Sequence, residues 1–195
     1  MKNTNTIIPN KYQILIGLST LVLAILACTL NVGGPTLPAE HIPVSTQAMQ
    51  ELQTAVQTAA AAAVETGQLT FTITEPQITS YLADYLQTQT HPFITDPQVF
   101  LRNGQVQLFG VAQQGDFQAN VEIDFTAGVD DQGQPKIELS KADFGPLPVP
   151  AGLMDVVTAA IQEAYTGAIG PAGSGLRLES ITVADGTMTI VGLTK

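Results

Sequence analysis

Phe117-Gln118-Ala119-Asn120-Val121-Glu122-Ile123-Asp124-Phe125-Thr126 alternates apolar and polar side chains without a fault. Successive side chains of a strand point to opposite faces, so this stretch reads as a strand with one dry and one wet side. Before it, Val99 to Arg102 and Gln105 to Val111 flank Asn103-Gly104, the dipeptide that best tolerates the positive φ angles of a tight hairpin. Gln114-Gly115 supplies the next turn. After it, Asp130-Asp131-Gln132-Gly133 leads to a strand that would carry Ile137 and Leu139 inward. Together these segments predict an antiparallel meander of three or four strands. Leu176 to Val183 and Thr187 to Leu193, joined by Asp185-Gly186, predict a terminal hairpin.

The remaining periodicity is helical. Met49, Leu52, Val56, Ala59 and Ala63 recur at spacings of three and four, with Ser45 placed to cap the start and Gly67 to end the helix. A strand over Leu69 to Ile73 leads into a second helix at Glu75-Pro76, with Ile78, Leu82 and Leu86 on one face and Tyr81 and Tyr85 flanking it. Gly145-Pro146-Leu147-Pro148-Val149-Pro150 cannot be regular structure. It precedes a third helix with Leu153, Val157, Ala160, Ile161, Ala164 and Tyr165 on a stripe. The order predicts an α+β fold: a curved antiparallel sheet with amphipathic helices packed on one face.

The first 27 residues are of another kind. Lys2 and Lys11 precede an uncharged apolar run from Ile14 to Ala27, which is followed by the chain's one cysteine in Ile25-Leu26-Ala27-Cys28. The run is shorter than the ~20 residues of a membrane span and matches the apolar region of a signal peptide. It resembles the lipobox of bacterial lipoproteins. That resemblance implies cleavage before Cys28, acylation of its thiol and usually of the new amine, and a position on the outer side of the cell membrane. A retained N-terminal helix is the competing reading. Where the organism has two membranes, Thr29 after the cysteine lacks the aspartate associated with retention at the inner one. A single cysteine allows no internal disulfide. The expected organisation is a signal peptide over 1–27, a lipidated N-terminus and flexible tether over 28–44 rich in Gly and Pro, and one domain over 45–195.

Beyond the signal peptide, all 17 acidic residues face only five basic ones (Arg102, Lys136, Lys141, Arg177, Lys195), a formal charge of −12. Such a surface repels nucleic acid and anionic headgroups. No sequence pattern for catalysis is present. His41 and His91 lack companions at metal-ligand spacing, and Gly170 to Gly175 has no following lysine and opens onto a strand. Asp116, Glu122, Asp124, Asp130 and Asp131 do not form a calcium loop and read as a solvated face. No enzyme, metal or cofactor is expected.

What is left is apolar surface. Thr74-Glu75-Pro76-Gln77-Ile78 opening a helix, Val99 to Gly110 with its Asn-Gly turn, the proline-rich helix start at 145–150, and Ile181 to Gly192 together resemble the LmeA-like phospholipid-binding family. That family is similar in turn to the tubular lipid-binding (TULIP) proteins. The resemblance covers about 45–195 and implies a curved sheet wrapped on a helix, with an apolar groove for a phospholipid or fatty acid. Phe100, Leu108, Phe117, Val121, Ile123, Phe125, Ile137 and Leu139 of the sheet, with Met154, Val157, Ile161 and Tyr165 of the third helix, are the residues expected to line it. The same periodic positions would equally close a solid core. The alternative is therefore a non-enzymatic surface lipoprotein that docks a protein partner. The sequence leaves both open.

Overall fold

The computed structural model describes residues 30–90, 92–153, 155, 157–159 and 176–194. The signal-peptide expectation, Cys28, His91 and most of the span expected to be the third helix fall outside them. Among the described residues the elements are β1 (Leu30–Asn31), α1 (Thr46–Thr66), β2 (Gln68–Thr74), α2 (Glu75–Thr88), β3 (Thr95–Arg102), β4 (Gln105–Gln114), β5 (Phe117–Val129), β6 (Pro135–Asp143), β7 (Leu176–Ala184) and β8 (Thr187–Thr194).

Local chemistry sets the helix ends. Ser45 is extended and its hydroxyl accepts from the backbone N–H groups of Gln47 and Ala48, satisfying two of the donors that a helix start leaves open. Gly67 ends α1 at φ 75°, a left-handed conformation without penalty for glycine, and donates to the Ala63 carbonyl at 2.8 Å. At α2 the Gln77 side chain accepts from the N–H of Thr74 at 3.0 Å, and Pro76 occupies the first turn, where no backbone donor is needed.

The meander β3-β4-β5-β6 forms as the alternation predicts, antiparallel throughout. The far edge of β5 is shared. β6 pairs with it from Glu122 to Val129, while β1 pairs in parallel with Phe117 and Gln118. A bulge between Asp124 and Phe125 breaks the β5–β6 register, which allows both neighbours to be buried.

One large antiparallel sheet is not what forms. β2, β8 and β7 make a second sheet, in that order, with β8 in the middle. The two sheets curl into a half-barrel, mixed because of β1, within an α+β fold. The N–H of Leu178 donates to the Gly133 carbonyl, and that of Gly186 to the Leu101 carbonyl, each at 3.0 Å. The first bond fastens β7 to the β5–β6 turn, and the second fastens the β7–β8 turn to β3.

The inner side holds two apolar clusters. α1 lays Ala59 and Ala63 on Leu69 and Leu178 of the smaller sheet. Its alanines bring the helix axis close to the strands. α2 directs Ile78, Leu82, Tyr85 and Leu86 at the larger cluster, which is built on Leu101, Val106, Leu108, Val121, Ile123 and Phe125. Phe144 and Leu147 of the proline-rich segment pack on the same cluster, followed by Leu153 and Val157 from the start of the third helix.

The expected flexible tether is, from residue 30 onward, a strap that first pairs with the edge of β5 as β1 and further on lies against the outer face of the larger sheet, where Ile42 packs. The N–H of Leu30 donates to Asp116 O, that of Val32 to Gln118 O, and that of Asn120 to Gly33 O, each at 2.8 Å. The Asn120 side-chain amide reaches the Pro35 carbonyl at 3.1 Å. Further on, Ile42 is buried with Phe100 and Phe109, and the N–H of Ile42 donates to Gln98 Oε1 at 2.7 Å. Composition predicted freedom because Gly and Pro carry no periodicity, yet here they serve close approach. A Cβ on Gly34 would stand 2.2 Å from Asn120 O, and one on Gly145 would stand 2.6 Å from the Gly34 Cα.

Candidate functional site

The inner face of β5 is the spine of the candidate groove. Ala119, Val121 and Ile123 are fully buried in a row, Phe125 closes one end, and Phe117 at the other end is 48% exposed. Leu108, Val121, Ile123, Phe125 and Val157 meet in one cluster, with Ile137 half-buried against it. Leu139, opposite Phe125 on the edge strand β6, is 41% exposed. Met154, Ile161 and Tyr165 lie outside the described residues.

Phe100 is not part of this face. It pairs with Gln107 on the outer side, where its ring meets that of Phe109 edge to face, with centroids 5.8 Å apart and planes at 75°. The guanidinium of Arg102 lies 5.5 Å from the Phe100 ring centroid. The sequence misassigned Phe100 because Val99-Phe100-Leu101 is continuously apolar. A strand buried on both faces has no alternation to read. The outer face of β3 is dry because the strap covers it.

The edge of β3 away from β4 shows how this scaffold is held. Its outward N–H groups would be a template for pairing with another chain. α2 meets them with side-chain acceptors: Thr79 Oγ1 takes the N–H of Val99 at 3.1 Å, and Glu75 Oε1 takes that of Leu101 at 2.7 Å. Ser80 Oγ takes the N–H of Ser45 at 3.0 Å, which ties α2 to the start of α1. Glu75 is itself buried and paired with Arg102, which also reaches the exposed Glu40 of the strap at 3.6 Å. None of these polar roles was found from sequence. Glu75 and Thr79, four apart on one helix face, were the available signal.

On the outer face, Asp124 departs from the expected solvated acidic surface. It is buried, and its Oδ1 has no hydrogen-bond partner among the described residues. Burial raises its pKa above the usual carboxylate range, and the neighbouring Glu122 raises it further by repulsion and by a hydrogen bond to the protonated form. Lys141 opposes this, and lies 2.7 Å from Glu122 Oε2. Asp130 serves its turn instead, its Oδ1 accepting from the N–H groups of Gln132 and Gln134 at 2.8 Å. Among the described residues no group of three or more His, Cys, Asp or Glu could hold a metal ion. His41 contacts Gln98 Oε1 at 3.0 Å through Nδ1.

No family model, curated protein or solved structure matches this chain. Among the described residues no helix is long and apolar enough to cross a membrane.

Proposed function

We propose that this chain is an extracytoplasmic lipoprotein, cut before Cys28 and anchored by acyl groups on that cysteine, whose half-barrel binds a phospholipid or fatty-acid chain along its inner face. The observation that carries the lipid reading is the apolar row of β5, which does not end in the core. It continues through Ala119 to Phe117, where a large aromatic ring is 48% exposed to solvent. An acyl chain needs such a face and few polar contacts. The likeness to the LmeA-like and TULIP proteins supports the same reading and remains part of this proposal. Anchoring follows from the sequence at Cys28, since each buried methylene contributes about 0.8 kcal/mol and two or three acyl chains hold a protein essentially permanently.

Complete burial of Leu101, Val121 and Ile123 favours a second reading, a solid-core lipoprotein that displays its acidic surface to a protein partner. Organic extraction of the purified chain with mass spectrometry, alongside uptake of a fluorescent fatty acid, separates the two. Lipid beyond the anchor, or saturable uptake, supports the groove. The absence of both lipid and uptake refutes the groove and leaves the solid-core reading. The anchor has its own test: Cys28→Ala is released from the membrane fraction while keeping the folded domain's circular dichroism, and stable retention would overturn lipidation.

A further inference from the structure

Leu30 and Phe117 stand side by side as register partners on β1 and β5, and they are 57% and 48% exposed. Paired residues on neighbouring strands project to the same side of a sheet, so the two side chains form one exposed apolar patch at the Phe117 end of the apolar row of β5. An exposed pair of this kind is commonplace by itself. Its place in the chain gives it a partner. Cys28 precedes Leu30 by two residues, and two peptide units reach no more than about 7.6 Å. Leu30, Val32 and Gly33 are riveted to Asp116 of the β4–β5 turn and to Gln118 and Asn120 of β5 by three backbone hydrogen bonds of 2.8 Å, so the strap cannot pay out further length without breaking these bonds.

We propose that Leu30 and Phe117 insert into the lipid leaflet that holds the anchor, so that the domain lies on the bilayer with the Phe117 end of the apolar row of β5 against the lipid. This rests on lipidation at Cys28 and refines it: the anchor fixes an orientation as well as a distance. A long free tether would let an acidic domain stand off from the membrane, whereas a two-residue link brings the β4–β5 turn to the headgroups. Leu30 and Phe117 are the large apolar side chains that meet the lipid there. Asp116, exposed beside Phe117, disfavours anionic headgroups, so the surface suits a zwitterionic lipid. The geometry also places the entrance of the proposed groove where acyl chains are supplied.

The chain contains no tryptophan, so a single introduced indole reports its own surroundings. The lipidated full chain carrying Phe117→Trp, Leu30→Trp or Val64→Trp is reconstituted into phosphatidylcholine vesicles with or without dibrominated acyl chains, after intact-mass confirmation of the acyl groups. Val64, 79% exposed on α1, is the control. Insertion of about 5–10 Å predicts roughly twofold or greater quenching of the Phe117→Trp and Leu30→Trp emission by brominated lipid, with Val64→Trp unaffected. Quenching of neither test reporter, in a chain whose mass shows acylated Cys28, overturns the insertion and leaves the anchor intact. A mass showing unmodified Cys28 overturns the anchor and the proposal with it.

Discussion

Replacing Glu75 by alanine should cost more than any other change at the surface between α2 and β3. The Glu75 carboxylate is buried and accepts from the N–H of the fully buried Leu101 at 2.7 Å, while its other partner, Arg102, is about one-third exposed. Removing the carboxylate leaves the Leu101 donor without an acceptor in a place water does not reach. An orphaned buried donor costs about 1–3 kcal/mol, and the lost charge-assisted bond raises the total to roughly 3 kcal/mol. For a domain of this size that corresponds to a fall in Tm of about 6–12 °C. Glu75→Gln separates the two contributions. Its amide oxygen can still accept from Leu101, so it loses only the partly screened attraction to Arg102, about 1 kcal/mol. Thr79→Val, nearly equal in shape, strips the acceptor from Val99 and should fall between them, at about 1–2 kcal/mol. Thermal unfolding followed by circular dichroism at pH 7 ranks the three. If Glu75→Ala melts within about 2 °C of the parent chain, or if Glu75→Gln is as damaging as Glu75→Ala, the edge-capping account is wrong.

Asp124 supplies a pH test. Its folded pKa is raised, so the native state binds the proton more tightly than the unfolded chain, and stability falls as pH rises from the ordinary carboxylate range through the raised value. Asp124→Asn should flatten that fall and increase stability at pH 7, as urea titrations between pH 4 and pH 8 would reveal; an unchanged pH slope would contradict the assignment. Gly34→Ala should free the strap, since φ at Gly34 is +112° and the added Cβ meets the Asn120 backbone at 2.2 Å. Hydrogen exchange should then quicken at the N–H groups of Val32 and Asn120, and the strain alone amounts to about 1–3 kcal/mol. Gly33→Ala is the milder control, because its Cβ meets nothing within 4 Å although φ is +99°.

The legible parts of the sequence were those where one short-range force acts alone. Ser45 and Gly67 bound α1, Asn103-Gly104 and Asp185-Gly186 turn their hairpins, and the alternation from Phe117 places Ala119, Val121 and Ile123 inward, because capping, φ preference and the strand period all operate over a few residues. The same locality limited the site. Leu108, Val121, Ile123 and Phe125 share one buried cluster, as the period of their strands predicts, whereas the unalternating Val99-Phe100-Leu101 gave no way to tell the inner face from the outer. Glu75, Thr79 and Ser80 looked like an ordinary polar side of α2, since hydrogen bonding to a strand edge leaves no periodic trace.

By itself, then, the sequence determined the number and kind of most elements, the acidic charge and the uncharged apolar stretch that precedes Cys28. Only the tertiary structure decided that β2 pairs with β8 to make a second sheet, that Asp124 is buried, and that residues 30–42 are a strap and not a free tether. The reason is common to all three: each depends on segments far apart in the chain coming into contact. Glycine and proline report local conformational freedom, and the same Gly34 that would loosen an isolated peptide is what lets the strap lie against Asn120.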